Sequence, residues 1–66
     1  MNIELEQEED GRWIAEIKQL PGAVVYGKNR EEAISKVEVL ALRVIADRVE
    51  HGDPIPELSA LFAVPA

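Results

Sequence analysis

The stretch "GAVVYGKNREEAISKVEVLALRVIADRVEHGDP", Gly22 to Pro54, contains the change of hydrophobic period that decides the fold. Ala23 to Tyr26 is short, rich in Val and ended by Gly27, which suits a strand. Asn29 is then a good N-cap, and Glu32, three residues later, can complete a capping box with it. Glu31 and Glu32 also suit the positive end of a helix dipole. Ala33, Ile34, Val37, Leu40, Ala41, Val44 and Ile45 follow at the i, i+3, i+4 spacing of one helix face. Gly52 and Pro54 are stop signals, so the pattern predicts a helix from Arg30 to about Glu50, with His51 beside its end.

The same helix has a second apolar stripe. Val39, Leu42, Ala46 and Val49 are spaced by three, four and three residues, like the a and d positions of a coiled coil. At about 100° per residue they lie nearly opposite the first stripe. A helix resting one side on a sheet should be polar on its outer side, and this one is not. One reading is a set of incidental apolar residues on a good helix former. The other, favoured by the small size of the chain, is a contact between subunits of a homodimer or homotetramer.

Upstream, Asn2 to Glu8 alternates, with Ile3 and Leu5 on one face and Glu4, Glu6 and Glu8 on the other, as in a half-buried antiparallel strand. Asp10-Gly11 is a turn pair. Arg12 to Lys18 reads as the second strand: Trp13, Ala15 and Ile17 share one face, and Ile14, Glu16 and Lys18 the other. Leu20-Pro21-Gly22 breaks the chain as a type II turn, with Pro setting φ and Gly allowing positive φ. Downstream, Pro54 and Pro56 suit an extended linker. Leu61-Phe62-Ala63-Val64-Pro65 fits a short strand returning to the sheet after a right-handed crossover. The expected class is α+β in the order β-β-β-α-β, with one helix packed on a mostly antiparallel sheet.

The whole chain, residues 1–66, reads as a single domain. At this length about 60% of the unfolded surface is buried, so a stabilising partner is expected. With no Cys and a single His, thiolate chemistry is excluded and a multi-imidazole zinc site is not expected. No apolar run approaches the roughly 18 residues of a membrane span, and no secretory signal is evident, so a cytoplasmic location is expected. Thirteen acids against seven bases give a net charge of −6, which argues against direct nucleic-acid binding and suits solubility or a basic protein partner.

Catalytic signals are weak. Glu4, Glu6 and Glu8 could hold a metal in principle, but three acids on one strand are more simply a solvated face. His51 lacks a neighbouring nucleophile, and Ser35 and Ser59 lack nucleophile context. No phosphate-binding glycine loop occurs. Trp13 and Tyr26 could stack on bases, but Trp13 shares its face with Ala15 and Ile17, so core packing is the default. No catalytic residue, cofactor, metal or small-molecule substrate is expected.

The succession Glu9-Asp10-Gly11, Trp13 to Ile17, Leu20-Pro21-Gly22, Tyr26-Gly27 and Glu31-Glu32-Ala33 resembles the HicB-like antitoxin domain of type II toxin–antitoxin systems. The resemblance runs from about Met1 to Val64 and implies a truncated ribonuclease H-like unit. It also implies a function: binding a small, basic, mRNA-cleaving toxin of the HicA type and occluding its active site. Many members carry a C-terminal DNA-binding module, and none is expected in this chain. The shared motif is made of turn and strand signals, so it does not fix the toxin-contacting residues. Two alternatives remain: a small oligomeric scaffold or regulator with another partner, and a metal-dependent nuclease using Glu4, Glu6 or Asp10.

Overall fold

The computed structural model describes residues 1–55 together with Phe62 and Pro65. Three strands, β1 (Glu4–Gln7), β2 (Trp13–Glu16) and β3 (Val24–Gly27), are followed by one helix, α1 (Arg30–Glu50). The strands form an antiparallel sheet in the order β1-β2-β3, so the class is α+β and the order β-β-β-α. The fourth strand expected around Leu61 to Pro65 lies outside the described residues, Phe62 and Pro65 apart.

The strands are shorter than the alternation suggested, because turn geometry consumes their ends. Between β1 and β2 the loop is Glu9-Asp10-Gly11. The Gly11 N–H donates to the Glu8 carbonyl at 3.0 Å, and the Glu8 N–H to the Arg12 carbonyl at 2.7 Å. This is a type I turn closed by a residue in the left-handed region, and Gly11 takes that place at φ 92°. Asp10 braces the loop by accepting from the Arg12 N–H at 3.0 Å and from Arg12 Nε at 2.7 Å. The second break is the expected type II turn: Ala23 N–H donates to Leu20 C=O at 2.9 Å, and Gly22 has φ 90°.

Register follows from pairing. Leu5 lies opposite Ala15 and Ala15 opposite Val25, which places these three side chains together on the helix side. The core is Ala15, Ile17, Leu20 and Ala23 from the sheet and its turn, with Ala33, Val37 and Ala41 from α1. Trp13 packs against this cluster at its edge, as its shared face with Ala15 implied. Leu20 and Val37 are the largest fully buried side chains. Burying a side chain of this kind contributes roughly 1.5–3 kcal/mol.

The helix runs over the predicted span. Asn29 caps it, accepting from the Glu32 N–H at 2.8 Å. The reciprocal half of the expected box is displaced by one residue: the Glu32 carboxylate accepts from the Lys28 N–H at 3.2 Å, not from Asn29. Glu32 is also held by the Lys36 ammonium at 3.1 Å, one helical turn on. At the other end Gly52, at φ 76°, donates to the Val49 carbonyl at 3.2 Å and closes the helix.

β3 and α1 meet at Gly27. A Cβ built there would lie 2.8 Å from Ala33 Cα and 3.0 Å from Ala33 Cβ, with the Ala33 nitrogen closer still. Only glycine fits, so Gly27 does more than end a strand.

Candidate functional site

The sheet side away from α1 is covered by nothing among the described residues. The register places two rows on it: Glu4, Glu16 and Val24, then Glu6, Ile14 and Tyr26. Lys18 and Arg12 extend β2 at either end. The face therefore divides, with carboxylates on the β1 side and apolar groups on the β3 side, where Val24 is 41% and Tyr26 45% exposed.

Two like charges oppose each other directly in the Glu4–Glu16 pair, an arrangement that costs stability unless a cation sits nearby. Lys18 Nζ lies 3.5 Å from a Glu4 carboxylate oxygen. Glu4, Glu6, Ile14, Glu16 and Lys18 border a shallow depression of about 200 Å³. At the far end the Arg12 guanidinium stands 4.6 Å from the centroid of the Tyr26 ring, a cation–π contact. The same guanidinium holds Asp10, so the hairpin loop and the aromatic are tied together.

Two carboxyls titrate below their ordinary range. The Arg12 N–H, and then its side chain, hold Asp10 below 3.8. The Lys36 ammonium, and then the Lys28 N–H, hold Glu32 below 4.5. Both shifts favour the ionised forms and secure local structure around the sheet and the start of the helix.

The sheet edges differ. The Ile17 N–H donates to Ala23 C=O, so Ala15 and Ile17 turn their backbone groups toward β3, and Val24 and Tyr26 turn theirs outward. On that outward edge Lys36 Nζ donates to the Tyr26 carbonyl at 3.4 Å, and the Val24 N–H to Gly22 C=O at 3.0 Å. The Glu8–Arg12 bond sets the opposite parity in β1, so Leu5 and Gln7 turn their backbone groups away from β2. The β3 edge is guarded by an ammonium; the β1 edge has no such guard among the described residues.

The four residues expected at a subunit contact, Val39, Leu42, Ala46 and Val49, are all exposed on α1, and Leu42 is 67% exposed. His51 caps the helix end, its Nδ1–H donating to the Asp47 carbonyl at 2.7 Å, and both side chains are exposed. Among the described residues no three His, Asp or Glu side chains converge as metal ligands would, Glu4, Glu6 and Asp10 included. Nor is any described helix long and apolar enough to cross a membrane. Sequence patterning missed the edge role of Lys36, because its acceptor is a backbone carbonyl ten residues away. Comparison with family models, with curated proteins and with solved structures gave no match.

Proposed function

We propose that this chain is an antitoxin-like binding protein, self-associated through Val39, Leu42, Ala46 and Val49, that neutralises a small basic HicA-type toxin by covering its RNA-cleaving site. The observation that supports it best is the outer sheet face, uncovered among the described residues, where Glu4, Glu6 and Glu16 lie beside exposed Val24 and Tyr26. A centre of partly exposed apolar groups beside a charged border is the usual anatomy of a protein interface. Its negative sign selects a cationic partner and speeds encounter. The resemblance of the DG, LPG, YG and EEA succession to HicB-like domains supplies the partner's class.

The test is co-expression with a HicA-type toxin, reading growth and mRNA integrity. The chain should protect, and Glu4→Lys with Glu6→Lys and Glu16→Lys should abolish protection while leaving the circular dichroism spectrum unchanged. Equal protection by the folded triple variant, or none by the parent chain across a panel of such toxins, would sink the proposal.

A further inference from the structure

The apolar stripe on the outer side of α1 is unused by the sheet. Val39, Leu42, Ala46 and Val49 are exposed along it, while Val37 and Val44, on the opposite side, pack with the core. We infer that this stripe takes a second copy of the chain in a parallel, in-register two-fold pair, with Glu38 of each subunit against Arg43 of the partner subunit. The inference rests on the self-association reading above and adds the orientation and the contact that selects it.

The spacing of Glu38 and Arg43 carries the argument. At about 100° per residue, Glu38 stands about 60° to one side of the stripe's centre and Arg43 about 80° to the other. Five residues apart, they cannot pair on their own helix, where partners stand three or four apart. No base stands at that spacing from Glu38. The one acid so placed for Arg43 is Asp47, which lies 3.5 Å from His51 Nδ1. Neither Glu38 nor Arg43 makes an ion pair among the described residues.

A parallel two-fold crosses the flanks, so the Glu38 side of one helix meets the Arg43 side of the other. In register, Glu38 and Arg43 of the partner subunit differ by about 7.5 Å of rise, and the long Arg side chain leans toward the helix N-terminus across that gap. This is the g-to-e contact by which parallel coiled coils choose partner and orientation, and symmetry makes it twice. Val39 at an a position with Leu42 at a d position also favours two parallel strands. Glu31 and Lys36 repeat the spacing one heptad earlier, but Lys36 is engaged at home by Glu32 and the Tyr26 carbonyl and adds nothing to the choice.

Laying the stripe on its own reverse, about Val44, brings like flanks together instead. Arg43 then comes within two residues of Arg43 of the partner subunit, base against base. Arg48 lies round toward the sheet with Ala41 and offers Glu38 no substitute. Aligning two helix dipoles costs little, because the effect is confined to the end turns and screened by salt. The parallel pair also leaves both acidic sheet faces free, pointing in opposite directions, so that each subunit keeps its own binding face.

The experiment is sedimentation equilibrium on the full chain at low salt. Glu38→Arg and Arg43→Glu should each weaken association about tenfold, because each reversal turns two attractions into repulsions. Combining them should recover the parent affinity to within about threefold. Leu42→Asp should yield a monomer with unchanged helix content. Orientation is read separately: the chain has no cysteine, so Val49→Cys adds a single thiol. A parallel pair sets position 49 beside its own copy, and oxidised glutathione should cross-link it at least about tenfold more than in the Leu42→Asp background. The antiparallel overlay separates the two copies of position 49 by about 15 Å of rise and forbids that bond.

A parent chain that stays monomeric, or a Leu42→Asp variant that keeps the parent mass, overturns the self-association reading and this inference with it. A parent dimer that Leu42→Asp dissociates, but that lacks either the Val49→Cys cross-link or the charge recovery, overturns the parallel register alone.

Discussion

Replacing Gly27 by alanine adds one methyl group at the tightest junction of the molecule. The new carbon would stand 2.8 Å from Ala33 Cα and 3.0 Å from Ala33 Cβ. Carbon atoms settle at about 3.5–4.0 Å, so the start of α1 has to retreat by roughly 1 Å. No flexible side chain can give way instead. The opposing atoms belong to the first helical turn, pinned by the Ala33 N–H to Asn29 carbonyl bond at 3.1 Å and by the Asn29 cap. The retreat loosens Ala33 and Val37, both fully buried against the sheet.

Overpacking of this kind costs about 1–3 kcal/mol, and backbone on backbone belongs at the upper end of that range. A domain of this size loses about 4–8 °C of melting temperature per kcal/mol, so Gly27→Ala should melt roughly 10–20 °C lower. Gly11→Ala is the matched control. At φ 92° with nothing within 4 Å, it suffers backbone strain alone, about 1–2 kcal/mol. Thermal and urea unfolding followed by circular dichroism measure both. A Gly27→Ala variant no less stable than Gly11→Ala would refute the claim that steric fit at this junction sets how the helix docks.

Asn29→Ala removes the 2.8 Å cap bond and should cost about 1 kcal/mol in urea unfolding; Asn29→Asp should restore most of it. Asp10 and Glu32 are both held below their ordinary values of 3.8 and 4.5 in the folded chain. Their contribution is therefore present above the unfolded values and lost as pH falls through the folded ones. The urea midpoint should drop between pH about 5 and about 3, with a shallower slope in the Asp10→Asn, Glu32→Gln variant. Asp10 is exposed and Glu32 partly so, which keeps the difference small.

What the sequence made legible is what local rules govern. The helix limits, its N-cap and the type II turn depend on neighbours within four residues, and each stands where the pattern put it. The strand ends did not: Glu8 and Arg12 close the hairpin loop, and Ile17 and Lys18 enter the turn in which the Leu20 N–H donates to the Ile17 carbonyl at 3.0 Å. Leu20 shows the limit more sharply. It sits in a turn signal and reads as loop, yet it is 1% exposed, because the turn folds it under the helix. Gly27 and Lys36 act through contacts with the helix backbone and with a strand carbonyl, which no periodicity encodes. The candidate binding face was half legible: alternation separated Glu4 and Glu6 from the core, but only the register brought Glu16 opposite Glu4 and Tyr26 opposite Ile14.

The unequal sheet edges bear on how this protein behaves when crowded. Runaway fibril growth by strand addition needs two docking rims on every molecule, one to receive and one to offer. Lys36 blunts the β3 rim by placing an ammonium on the Tyr26 carbonyl. On the β1 rim, Glu4 and Glu6 repel a second copy of themselves. Among the described residues, then, the β1 edge alone is open to an incoming strand, and the sheet passes no equivalent rim onward. Strand addition to the described sheet has no way past its first step, a geometry that works against fibril growth.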